Sequence, residues 1–206
     1  MRTIAKADAP DCLADAAKNG WSWEEFVTNN HAGYQECRQQ ANGEQASVCA
    51  YTELPLDTEK MTVHLDHYRK KSIYQELRFD WRNLFAAIKD NRFGADYKDN
   101  RVSGENEQQV YAVILSPLTE NLESYFHYAT NGEIEPSMGL SDDNLNRAKE
   151  TIKIFHLNED ELVSRRRTIM AQIGAYHDLS EEEIKICFEG AGFPSVVEQE
   201  LRYMFA

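Results

Sequence analysis

The stretch VHLDHYRKKSIYQELRFDWRNLF, residues 63–85, decides how the chain is read. Its first residues, with Met61 and Thr62 before them, predict a strand in which Val63 and Leu65 share one face. His64 and Asp66 share the other face, and His67 points away from them or sits where the strand ends. An aspartate beside a histidine at a strand end suits phosphodiester hydrolysis assisted by a divalent metal. The carboxylate holds a hard cation such as Mg²⁺, and a neutral imidazole takes a proton from the attacking water near pH 7. The metal stabilises the charge that builds on phosphate and leaving oxygen. The same residue types also occur as surface or satisfied histidines, so the Asp-His pair alone leaves both readings open.

The texture changes on either side. Residues 1–46 predict helices, because WSWEEFVTNN and GYQECRQQANGEQ space apolar and aromatic residues by three and four. Trp21, Trp23, Phe26 and Tyr34 are the expected core there. Residues 47–104 read as a β-rich insert. In it Val48, Ala50 and Leu54 predict a strand ending at Pro55, and FDWRNLFAAIKDNRFG predicts a short strand or extended turn running toward a helix around ADYKDNRVS. Helices return over residues 105–206. Their starts are marked by Asn158 with Glu161, Ser180 with Glu183, and Ser195 with Glu198, each a capping residue followed three places later by Glu. Ser141 begins another, and GEIEPSMGLS reads as a loop broken by Gly132, Pro136 and Gly139. The expected fold class is α+β, mostly helical, with the three segments in one compact domain.

The 206 residues include 42% hydrophobic and 11% aromatic side chains, too apolar a composition for a disordered chain. No run reaches the roughly 18 apolar residues of a membrane helix, and MRTIAKADAPDC lacks the apolar centre of a signal peptide. Cys12, Cys37, Cys49 and Cys187 include no short-spaced pair, which predicts reduced thiols and a cytoplasmic protein. The net charge of −13 argues against a polyanionic partner, but the charge is uneven. Lys60 to Gly104 holds ten Lys/Arg against six Asp/Glu, a local +4, and leaves −17 on the rest. Screening confines exposed charge to about 8 Å at physiological salt. A basic island can therefore guide a polyanion locally, or simply be a solvated face.

Spacing adds what charge does not. Asn83 follows His67 by sixteen residues, and DYKD comes about fifteen further on at the predicted helix start. Asp-His, then Asn, then a helix-borne polar ligand is the order of an HNH, or ββα-metal, nuclease motif. In that motif the Asn ties a long loop to its strand and so holds the histidine at its angle. Arg69, Lys70 and Lys71 in the loop, with Arg78, Arg82 and Lys98, are candidate phosphate contacts that are blind to sequence.

Residues 63–85 resemble the core of the HNH nuclease subunit of Septu-type anti-phage systems, a subunit also found beside some retrons. AYTELPL ahead of that core, SPLTENLESYFHYATNGEIEP and GLS behind it, and the helix leading to LNEDELVSRRR extend the resemblance. It covers residues 48–167 clearly and the ends loosely. It implies a central ββα-metal (HNH) finger within residues 47–104. Asp66 would be a metal ligand, His67 the general base, Asn83 the loop anchor, and His64 an accessory ligand or phosphate contact. The helix ligand falls on Asp96 or Asp99, where relatives often carry His or Asn. The implied cofactor is Mg²⁺ or Mn²⁺, and the implied substrate is nucleic acid. The implied partner is an ATPase subunit of the SMC/ABC type, with a retron reverse transcriptase and its RNA–DNA hybrid as a further layer.

Relatives also carry two cysteine pairs that hold a structural zinc. Here Cys49 of CAYT survives, its partner position is Thr52, and no cysteine occurs from 50 to 186, so no structural zinc is expected. Packing by Tyr51, Trp81 and Phe85 must take its place. A catalytically weakened scaffold subunit of the same complex is the alternative reading, and a helical adaptor with incidental histidines is a third. His127, His156 and His177 read as partly buried histidines in helices, Arg165–Arg167 as a mostly solvated run, and Cys187 as buried.

Overall fold

β1 (Val63–His67) and β2 (Leu84–Ile88) pair antiparallel, with His64 opposite Ala87, Asp66 opposite Phe85 and His67 opposite Leu84. This is a computed structural model in which residues 1–56 and 63–206 are described, so Met61 and Thr62 of the expected strand lie outside it. Val63 and Leu65 are buried on one face, as the alternation requires. Residues 68–83 loop between the strands through two short 3₁₀ turns, Gln75–Leu77 and Trp81–Asn83. After β2 the chain enters α4 (Gly94–Asp99), which packs against that strand.

Among the described residues three helices precede the hairpin: α1 (Asp11–Lys18), α2 (Trp23–Asn29) and α3 (His31–Glu44). Ser22 and Glu25 close a reciprocal capping box on α2, and α3 contacts both strands. Beyond α4 come α5 (Glu107–Val113), a second hairpin of β3 (Phe126–Tyr128) and β4 (Ile134–Pro136), and α6 (Asp142–Ile154) to α9. The last three helices are α7 (Asp160–Ile173), α8 (Glu181–Cys187) and α9 (Pro194–Met204). The class is α+β and mostly helical, with two small antiparallel sheets among the described residues. No described helix is long and apolar enough to cross a membrane.

Ser141 and Ser180 cap α6 and α8 as expected. Other expectations fail for local reasons. Residues 48–55 form no strand; they turn back on themselves and close with a single Val48–Pro55 bridge. Asn158 does not cap α7, because its amide is taken by the Ile134 backbone on both sides, and Glu159 caps instead. Ser195 lies inside α9, where its N–H and hydroxyl donate to the buried Glu53 carboxylate at 2.9 and 2.5 Å. That carboxylate also pairs with the Met1 ammonium at 3.0 Å. The expected loop at GEIEPSMGLS contains β4, and His127 lies on β3 rather than a helix. Cys187 is exposed, whereas Arg166 is buried under the Tyr128 ring with its guanidinium on the Leu157 carbonyl. At Gly192 (φ +85) an added Cβ would fall 2.6 Å from Pro55 and 2.9 Å from the Glu53 carbonyl. Only glycine lets the entry to α9 approach the 48–55 turn so closely.

Gln45 completes the free edge of β2. Its amide nitrogen donates to the Val48 and Ala86 carbonyls at 2.9 and 2.8 Å, and its carbonyl accepts from the Ala86 N–H at 2.8 Å. This side chain thus pairs both backbone groups of Ala86, whose carbonyl also accepts from the Ala50 N–H at 3.2 Å. Gln45→Ala should lower unfolding free energy by about 2–4 kcal/mol in denaturant melts, since it orphans buried backbone groups. A loss within about 0.5 kcal/mol, the scale of a surface change, would contradict this role.

Candidate active site at the end of the first strand

The sequence places Asp66 and His67 where β1 ends, and three contacts hold them. Asn83 fastens the loop: its Oδ1 accepts from the Arg69 N–H at 2.7 Å, and its Nδ2 donates to the Arg69 and Leu77 carbonyls at 3.0 and 3.2 Å. These bonds tie residues 69 and 77 of the loop to Asn83, which is buried at 5% exposure. The loop in turn presents the Arg78 carbonyl 3.0 Å from His67 Nε2. A carbonyl only accepts, so Nε2 carries the proton and Nδ1 is the basic atom. The imidazole and Trp23 rings meet at an interplanar angle of 80° with centroids 4.5 Å apart, so an aromatic residue expected only as core also packs on the histidine.

Lys98 is the residue the sequence misplaces. Expected on the surface as a phosphate contact, it is 0% exposed. Its ammonium donates to the His67 and Tyr68 carbonyls at 2.9 and 2.8 Å and pairs with Asp66 at 3.3 Å and Asp99 at 3.0 Å. Gly94, Ala95 and Lys98 are the buried residues of α4, at i, i+1 and i+4. Tyr51, expected only to pack, donates to the same Asp66 oxygen at 2.5 Å. Lys70 and Lys71 are committed elsewhere in the structure. The Lys70 ammonium caps the end of α4 on the Asp99 and Val102 carbonyls at 2.7 and 3.1 Å, and Lys71 pairs with Glu24. Arg78 lies against the Phe79 ring, and Arg82 is exposed.

Asp66, His67, His64, Asp96, Asp99 and Lys71 all border one open cleft of about 490 Å³. Arg69, Arg82 and Asn83 do not; they border a different cavity. Burial alone would push the Asp66 carboxyl up, but the Lys98 ammonium, His64 and the Tyr51 hydroxyl outweigh it and hold it below the usual range. Asp99 goes the other way, raised by burial and by the charge of Asp66 despite Lys98. Lys98 is raised, since the two carboxylates outweigh its own desolvation. Burial lowers His67 to about 4, so its imidazole is neutral near pH 7.

No three His, Cys, Asp or Glu side chains converge in a metal-holding group among the described residues. Mg²⁺ asks for less: it is commonly held by one or two carboxylates, with water and phosphate completing the shell. Asp66 and Asp99 supply that donor type, and His64 Nδ1 is buried with no hydrogen-bond partner. The donors therefore fit a hard cation, in competition with the ammonium already between the two carboxylates.

Two outcomes follow from this geometry. Lys98→Met leaves buried carboxylate charge uncompensated and should cost about 3–5 kcal/mol of stability. Adding Asp66→Asn should recover part of that loss; strictly additive losses would show that the pair is not coupled. His67, whose pKa in the fold lies below the ordinary 6.5, contributes stability that is full above pH 6.5 and is lost as pH falls toward about 4. NMR titration should place its midpoint near 4, and a midpoint at 6.5 would show that the ring is not desolvated as described.

Neither a protein-family model nor a curated protein matches this chain. The functional reading is therefore carried by these residues and their arrangement.

Proposed function

We propose that this chain is a metal-dependent HNH endonuclease that hydrolyses nucleic-acid phosphodiester bonds. The observation that carries the reading is the fastened loop: Asn83 holds both backbone groups of Arg69, and that loop delivers a carbonyl to His67. A loop pinned this way sets one tautomer and one ring orientation at a strand end that already carries a carboxylate. The order strand, pinned loop, strand, helix is that of a ββα-metal finger, and the resemblance of residues 63–85 to the Septu-type nuclease subunit points the same way.

In this reading His67 Nδ1 takes the proton of the attacking water, and the Arg78 carbonyl disperses the positive charge that the ring gains. Asp66, with Asp99 or Asp96, would hold Mg²⁺ or Mn²⁺, which when bound stabilises charge on the phosphate and leaving oxygen. Asn83 is a positioning residue, and Trp23 keeps bulk water from one side of the imidazole. An anionic phosphate entering the cleft raises the low His67 pKa and makes it a stronger base as substrate binds. The proposal extends to an SMC/ABC-type ATPase partner, with a retron reverse transcriptase and its RNA–DNA hybrid as a further component, in the cytoplasm of a defended cell. Exposed Met138, Ile186, Tyr203 and Phe205, all in the last third of the chain, are consistent with a docking surface there.

One observation favours the alternative of a catalytically weakened scaffold subunit: Lys98 occupies the space between two carboxylates that a cation would otherwise neutralise. Activity separates the two. Purified protein, with and without its co-expressed ATPase, is incubated with plasmid DNA and with RNA in Mg²⁺, Mn²⁺ or EDTA. The nuclease reading expects metal-dependent cutting that falls by a factor on the order of 10² to 10⁴ in His67→Ala. Unchanged cutting by that variant, or none by wild type in any metal, removes the assignment.

A further inference from the structure

On the far side of the pinned loop lies a second cavity, of about 300 Å³, whose lining includes Arg69, Arg82, Arg147, Tyr111 and Asp80. Arg147 comes from α6, outside the insert, and no feature of the sequence drew attention to it. Among the described residues none of the three guanidiniums makes an ion pair, although the chain holds 35 acidic residues against 22 basic ones. Arg69 rests against the Tyr74 and Tyr111 rings at 5.1 Å from each. Arg147 Nε is buried and has no hydrogen-bond partner. Asp80 is the carboxylate of the lining, and its Oδ1 is already used by the Arg82 N–H at 2.9 Å.

Arginines remain charged under all ordinary conditions, so three converging on one small cavity repel one another unless an anion joins them. In an acid-rich protein, nearby carboxylates could have neutralised them and do not. We infer that this cavity binds a phosphate group, with Arg147, Arg82 and Arg69 as its donors. Planar guanidiniums match phosphate oxygens by paired N–H bonds. The phosphate can come from a nucleic-acid strand, most simply one whose scissile bond reaches the His67 cleft around the loop, or from a free nucleotide. The strand source rests on the nuclease reading; the phosphate chemistry rests on the cavity alone.

The test is equilibrium binding in EDTA, where no cutting occurs. Intact protein is titrated with inorganic phosphate, AMP, and one short single-stranded DNA with and without a 5′-phosphate. Arg147→Gln and the exposed-site variant Arg82→Gln should each weaken phosphate and AMP binding roughly tenfold or more, the loss of a charge-assisted contact. Lys153→Gln, on the same helix as Arg147 but paired with Glu150, should bind as wild type does. Preference for the 5′-phosphorylated strand assigns the source to nucleic acid, and AMP binding without that preference assigns it to free nucleotide. Wild-type affinity in Arg82→Gln and in folded Arg147→Gln for every probe overturns the pocket. If cleavage assays fail while this binding persists, only the nuclease reading falls; if cleavage holds and these variants bind normally, only the pocket falls.

Discussion

Much of the strand-end site depends on one buried ammonium. Lys98 enters from α4, neutralises Asp66 and Asp99, and satisfies the backbone carbonyls of His67 and Tyr68 just where β1 stops pairing. A fully buried cation is costly unless every donor is used and its charge is matched. Here both conditions are met, and the consequence is rigidity: the end of β1, the start of the loop and the helix after β2 are fixed to a single point. Tyr51 adds a fourth attachment by bonding Asp66 from the 48–55 turn. Tyr51, Phe85 and Trp81 are all buried, and Tyr51 stacks on Phe155 of the C-terminal segment at 4.5 Å.

That rigidity bears directly on chemistry. Asn83 and Lys98 act from opposite sides on the same short piece of backbone, residues 67–69. One fixes the loop that supplies the carbonyl to His67, and the other fixes the carboxylate beside it. The imidazole therefore needs no reorganisation to present its basic nitrogen, which is the condition for efficient proton transfer. The cost is a low resting basicity, because the packing against Trp23 that orients the ring also desolvates it. In the proposed reaction, an entering anionic substrate would offset that cost.

The alternation in VHLDH was enough to read the first strand, and FDWRNLFAAIKDNRFG left a short strand or an extended turn open where β2 forms. Capping at Ser141 and Ser180 was legible for the same reason: each depends on residues three or four positions apart. What was not legible depends on partners distant in sequence. Ser195 looks like a cap until the buried Glu53 carboxylate claims it, and Asn158 until the β4 backbone does. Lys98 looks like a surface cation because nothing local shows that Asp66, 32 residues away, will pair with it. Gln45 and Arg147 were invisible for the same reason, since an edge strand and a cavity wall exist only after the chain is folded.

The central claim, that the carboxylates and imidazoles at the end of β1 form a metal-assisted site, is tested most directly by Mn²⁺ titration followed through NMR line broadening. Paramagnetic broadening falls off steeply with distance and so locates the ion without relying on activity. The account predicts that the signals of His64, Asp66, His67 and Asp99 broaden first, while those of Arg147 and the acidic α8 remain sharp. Broadening that begins along the acidic helices and leaves the strand-end cleft unaffected would contradict it.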